Sequence, residues 1–154
     1  MQASTTAAPA MTPAEVGSLW GHWDASVAES LTLSETSVSG WKGLTANARV
    51  ASQATAAQQP VTSTINGKTA VKFDKAASQF LRHQSTFKLD AGTGYTMVWV
   101  GRFDDADLTV PQVGASFAGA SALARRAPDG AVSTLQNPTL TAPSTVKPAA
   151  GQVV

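Results

Sequence analysis

The side chains best suited to recognition chemistry in this sequence are Trp20, His22 and Trp41. Indole rings stack on the apolar faces of pyranose sugars, and a neighbouring imidazole fixes hydroxyls, so the three are glycan-binding candidates. The plainer reading is that four tryptophans in a domain of this size mostly supply buried area, Trp23 and Trp99 above all. Arg82 and His83 beside Phe80 and Leu81 form a weaker candidate pair, better read as the end of a strand. The acidic cluster Asp104, Asp105 and Asp107 carries the oxygen chemistry that hard cations need, which makes it the candidate calcium site. A solvated turn ending a strand is the preferred reading of those aspartates, and no cofactor is otherwise expected.

Catalysis finds less support. Glycoside hydrolysis needs two carboxylates about 5 to 9.5 Å apart, often drawn from an E-x-D-x-E strand. Glu15, Glu29 and Glu35 are the only glutamates, and none stands two or four residues from another acid. Gly114, Ser116 and Ala118 miss the last position of G-x-S-x-G, and only His22 and His83 are available as bases. The protein is therefore not expected to be an enzyme.

Composition narrows the partners. With 11 Lys and Arg against 10 Asp and Glu, and Arg125 and Arg126 the one close basic pair, nucleic acid is not an expected partner. Cysteine is absent, which excludes a disulfide scaffold, a thiol nucleophile and a zinc knuckle. Charged residues make up 14% of the 154, against about 25% in average domains, and Ala, Ser, Thr and Gly fill the polar surface instead. Such a surface suits packing among other subunits. The longest strongly apolar run, residues 97–100, is far short of the roughly 20 residues that span a bilayer, so no membrane insertion is expected. Residues 1–11 lack the cationic start and apolar stretch of an export signal.

The elements that must position these groups read as strands. Residues 1–14 are expected to be a flexible arm, because little in residues 1–11 offsets the entropy of ordering them. Thr12, Pro13 and Glu15 then spell a capping box cut short by Gly17, which predicts a single turn. From Leu19 onward short apolar runs alternate between turn clusters. Residues 19–23 place Leu19, Gly21 and Trp23 on one face and Trp20 and His22 on the other. Residues 69–73 oppose Val71 and Phe73 to Ala70 and Lys72 after Asn66-Gly67, the strongest hairpin signal in the chain. Residues 94–103 read as a central strand buried on both faces, with Tyr95, Met97, Trp99 and Phe103 opposed to Val98 and Val100. Residues 46–57 lack an apolar stripe beyond Val50 and are not read as a helix. Pro138, Pro143 and Pro148 keep residues 137–154 extended, and residues 151–154 look like the opening of a further strand. The expected organisation is thus an arm over 1–14, a β-sandwich over 15–136 and a Pro-rich tail over 137–154, incomplete at its C-terminal end.

Several blocks in order resemble one family. Gly17, Leu19, Trp20, Trp23, Asp24, Ala25 and Ser26 are similar to the opening G-L-x-x-W-x-D-A-S of concanavalin A-like (laminin-G-like) jelly-roll domains of bacteriophage tail and other virion proteins. The likeness continues through Val38 to Trp41-Lys42, through Thr55, Ala56, Ala57 and Pro60, which resemble Q-x-T-A-A-x-x-P, and through Asn66-Gly67 to Phe73-Asp74, which resemble N-G-x-P-A-L-x-F-D. It spans residues 12–103, and residues 113–126 with 129–135 read as a next hairpin. Two departures stand out. The family's acidic D-x-S-G-N-G turn is Gly43-Leu44-Thr45-Ala46-Asn47-Ala48 here, and Lys75 replaces the glycine after Phe-Asp, so a loop-bound ion is not carried over.

The resemblance implies an all-β, two-sheet antiparallel jelly-roll sandwich. It further implies a virion structural protein of tail, fibre or baseplate type, localised to the virion. Its expected partners are other virion subunits, further copies of itself and a host-surface glycan. The alternatives are a capsid decoration or head-fibre protein, and a carbohydrate-binding module of a bacterial surface protein.

Overall fold

The structure, a computed structural model, describes residues 12–17, 19–83 and 98–104, and the backbone of residues 112–113, 116–117, 121–126, 132–136 and 139–140. The chain divides into two compact units, residues 1–85 and 86–154. The described elements are antiparallel strands and three short 3-10 turns, so the fold is all-β as expected.

In residues 1–85 the strands are β1 (Leu31–Ser34), β2 (Ser37–Lys42), β3 (Val50–Ser52), β4 (Val61–Ile65), β5 (Lys68–Lys72) and β6 (Arg82–His83). β2 lies inside the sheet. β1 pairs along one edge of it, while β4 pairs at Ser37 and β3 at Gly40 to Lys42 on the other. Residues 50–65 therefore act as one long partner of β2, interrupted by an excursion over 54–59. Backbone bonds close the ladder on both sides of the gap, from Gln53 N–H to the Ser39 carbonyl at 2.9 Å and from Val38 N–H to the Pro60 carbonyl at 2.8 Å. Pro60 is tolerated because it only has to accept there.

Inside the excursion Thr55 precedes the 3-10 turn Ala56–Gln58. Gln53 ties it together: its Oε1 accepts from Thr55 N–H, and its carbonyl accepts from the Gln59 side chain, both at 2.9 Å. The next row repeats the device. β5 pairs with β4 and β6 with β3, and residues 73–81 between them form a second excursion whose Phe80 N–H reaches the Gln58 carbonyl. Residues 46–57 hold β3 and this turn, in keeping with the rejection of a helix.

Turn chemistry fixes the register. Ile65 opposes Lys68 across Asn66-Gly67, whose φ values of 49° and 76° make the two-residue turn that an Asn-Gly pair predicts. A Gly67→Ala variant meets no steric neighbour but must hold a positive φ. It is expected to lose about 1 kcal/mol in urea unfolding. The β1–β2 hairpin turns at Glu35-Thr36, with Glu35 at φ 55°.

Burial is deepest at Val38, which is 0% exposed, with Ser30 and Pro60 also enclosed. Along β2 Val38 and Gly40 are buried, while Ser37, Ser39 and Trp41 are half-buried. Val38→Ala removes two methyl groups from this centre and is expected to lower unfolding free energy by about 2 kcal/mol.

Before the sheet, Pro13–Glu15 forms the single turn anticipated. The Glu15 carboxylate accepts from the Thr12 N–H at 2.5 Å and from the Thr12 hydroxyl at 2.9 Å. Residues 19–23, by contrast, are not a strand. The Trp20 and Trp23 rings do not take opposite faces but meet at 6.0 Å. Gly21 permits this, because the Trp23 indole lies where a side chain at position 21 would stand.

In residues 86–154 the expected central strand over 94–103 is not formed at 98–101. Val98 and Val100 are 82% and 75% exposed. Alternation fixed which residues share a side but not whether a layer covers it. Trp99 and Phe103 do meet, at 5.3 Å, with the Trp99 ring folded over Gly101, and Phe103 is buried. Positions 94–97 lie outside the described residues. Further on come β7 (Gln112–Val113), β8 (Ser116–Phe117), β9 (Ser121–Arg126), β10 (Val132–Gln136) and β11 (Thr139–Leu140). They form an antiparallel sheet in the order β11-β10-β9-β7, with β8 also on β9. The β9–β10 pair is the hairpin read over 113–126 and 129–135.

Candidate functional site

Four residues in register define one row across the sheet of residues 1–85: Leu31 opposes Trp41, Trp41 opposes Ala51, and Ala51 opposes His83. Directly opposed residues share a face, so Trp41 and His83 lie on the same side. The irregular segment 19–24 delivers two more rings to His83, Trp20 at 5.5 Å and Trp23 at 6.3 Å, both edge-on.

Arg49, from the loop joining β2 to β3, completes the group. Its guanidinium sits 4.3 Å from the Trp20 ring centroid, and its Nε donates to the Trp20 carbonyl at 3.2 Å. The same loop is bonded to the segment once more, from Leu44 N–H to the His22 carbonyl, and is closed on itself from Gly43 N–H to the Arg49 carbonyl. The result is an indole pair clamped between a cation and an imidazole.

The glycan candidates are thus partly brought together. Trp20 is half-buried in the clamp with one face under Arg49, His22 is half-buried on the same segment but makes no described ring contact, and Trp41 lies in the strand row of His83. The indole N–H groups of Trp23 and Trp41 are buried and donate to no described group. Arg82 and His83 form the short β6, with the Arg82 guanidinium 5.9 Å from the Phe80 ring. Arg49 was not visible as part of the site in the sequence. It stands alone between Ala48 and Val50, and only the fold returns it to a tryptophan 29 positions earlier.

Asp24, Ala25 and Ser26 lie directly beyond the clamp. Asp24 Oδ1 accepts from both the Ser26 hydroxyl at 2.7 Å and the Ser26 N–H at 2.8 Å, and the Asp24 carbonyl accepts from the enclosed Ser30 hydroxyl. The Ser26 side-chain and backbone bonds hold the Asp24 carboxyl below its ordinary value, with smaller help from the charges of His22 and Lys68. A depressed folded pKa means stabilisation present above the unfolded carboxylate range and lost as pH falls through the folded value. Asp24→Asn is therefore expected to flatten the acid limb of a stability-against-pH curve. Asp24→Ala is expected to cost about 1 to 2 kcal/mol at neutral pH, read by chemical denaturation.

A recess of about 270 Å³ adjoins this turn, with the Thr45 hydroxyl buried in its wall and Glu29 and Lys42 at its rim. Of the calcium candidates, Asp104 is exposed and paired with Arg102 Nε at 2.6 Å, while Asp105 and Asp107 lie outside the described residues. Among the described residues no group of three metal-ligating side chains occurs. No helix among them is long and apolar enough to cross a membrane. Comparison with protein-family models, with curated proteins and with solved structures found no match to the chain.

Proposed function

We propose that the chain is a structural protein of a bacteriophage virion, of tail, fibre or baseplate type, built on a concanavalin A-like jelly-roll sandwich. It serves subunit packing, with host-surface contact as its second role. The observation that carries this reading is where the resembling blocks fall. Trp23-Asp24-Ala25-Ser26 makes the ring clamp and the turn behind it, Gln53 to Pro60 makes the excursion beside β2, and Asn66-Gly67 makes the hairpin. The blocks lie at turns and connections of one antiparallel sheet or on the segment packed beside it, which supports the all-β part of the reading. The Arg49 guanidinium on Trp20 favours packing over sugar stacking, because it fills one face of that ring.

Immuno-electron microscopy of particles from the producing host tests the proposal. Label on the tail or baseplate supports it, label on the head supports the decoration alternative, and recovery only as a free secreted monomer overturns it. A glycan array run with the wild type, Trp20→Ala and Trp41→Ala separates the two roles. Binding lost in either variant supports host contact, and no binding on the array leaves packing.

A further inference from the structure

Among the described residues of the sheet in residues 1–85, β1 is outermost on one side and β5 and β6 on the other, and β1 and β5 differ in charge in a way that fits one to the other. β1 carries Leu31, Thr32, Leu33 and Ser34, with no charge and no proline, and Leu33 is 48% exposed. Its register irregularity with β2 puts the extra residue, Ser39, on β2, so β1 keeps an uninterrupted outer edge. Among the described residues no strand pairs with that edge. An uncharged, unbulged edge is a template for another strand. Exposed glutamates, Glu29 and Glu35, bracket it. β5 at the opposite side of the sheet is also an outer strand among the described residues. It begins and ends in exposed lysines, Lys68 and Lys72.

We propose that β1 of one copy pairs with β5 of the next, continuing the antiparallel sheet from chain to chain. Charge complementarity selects this occupant. Pairing β1 with a second β1 would bring Glu29 and Glu35 of one copy against those of the other. An antiparallel alignment of Thr32 with Ala70 sets Ser34 opposite Lys68, beside Glu35, and Leu31 opposite Val71, which brings Lys72 toward the 3-10 turn Ala28–Ser30 that carries Glu29. Strand direction agrees. Counting across the rows from β1 through β2 and β4, each antiparallel to the last, β5 runs opposite to β1. A copy placed by simple displacement along the sheet thus presents β5 antiparallel to β1 with the same faces aligned. Such a head-to-tail contact uses different surfaces on the two copies and forms rings or open filaments rather than two-fold dimers. The inference concerns how copies join and holds whether or not the chain belongs to a virion.

Sedimentation velocity of the full chain from low to high micromolar concentration, at low and high salt, reads the outcome. The wild type is expected to form a series of species that grows with concentration and shrinks with salt. Glu29→Lys/Glu35→Lys and Lys68→Glu/Lys72→Glu should each remain monomeric with unchanged far-UV circular dichroism, and an equimolar mixture of the two should regain the series. Cross-linking gives a second reading on a nearly wild-type background, since the chain contains no cysteine. Leu33→Cys/Thr69→Cys is expected to oxidise into a covalent ladder on a denaturing gel, and Leu33→Cys alone to form no disulfide-linked species. A wild type that is monomeric at every concentration, a mixture that does not reassemble, or a disulfide dimer from Leu33→Cys alone overturns the proposal.

Discussion

Replacing Trp23 with alanine is expected to lower the unfolding free energy of residues 1–85 by about 3 kcal/mol, the low end for a tryptophan truncation because the ring is half-buried. The indole contacts Trp20 at 6.0 Å and His83 at 6.3 Å, covers Gly21, and encloses its own N–H. Removing it leaves segment 19–24 held to His83 through Trp20 alone, so the loss includes loosened contacts of the neighbours as well. Trp23→Phe keeps the edge-on packing and is expected to recover more than half of the loss, since the indole N–H has no described acceptor to lose. Gly21→Val should mimic the alanine variant, because its side chain takes the space the ring occupies. Urea unfolding followed by far-UV circular dichroism is the suitable measurement, as tryptophan fluorescence changes with the substitution itself. A loss below about 1 kcal/mol for Trp23→Ala would place the ring at the periphery and make the clamp an ornament of the sheet.

What the sequence disclosed follows from which interactions are local. Asn66-Gly67 announced its hairpin because both turn positions need a positive φ that those residues accept at low cost. Thr12 to Glu15 announced its turn because the cap and its partner stand three residues apart. The β1–β2 turn gave no such sign, since Glu35 takes a positive φ with no glycine or asparagine beside it. Alternation alone does not make a covered strand. An extended backbone over 19–23 sets Trp20 and Trp23 on opposite faces, but Gly21 has no Cβ to keep the Trp23 ring out of that space, and the two rings meet. Val98 and Val100 alternate as a covered face would, yet both are exposed, because alternation carries no information about the layer that would cover them. The candidate site was half legible. Tryptophans and histidine advertise themselves by type, whereas Arg49 and His83 join Trp20 only through strand pairing across long stretches of chain.

Arg49 supplies the second large effect. Arg49→Ala removes a guanidinium 4.3 Å from the Trp20 centroid and the Nε bond to the Trp20 carbonyl, and is expected to cost about 2 kcal/mol. The two contributions separate by substitution. Arg49→Met retains the aliphatic stem, so whatever it recovers is packing; Arg49→Lys restores charge without the planar fork and should recover less than half, because Nε and the flat stacking surface are both lost. The same variants bear on recognition. With the guanidinium in place, one face of Trp20 is filled, so a sugar can use that face only by displacing it. If the ring serves packing within the fold, Arg49→Ala weakens folding and leaves glycan binding unchanged or absent. If it serves a glycan, the alanine variant exposes the ring and strengthens binding while still weakening the fold. Parallel urea unfolding and glycan titration of the one variant therefore assign Trp20 to one role or the other.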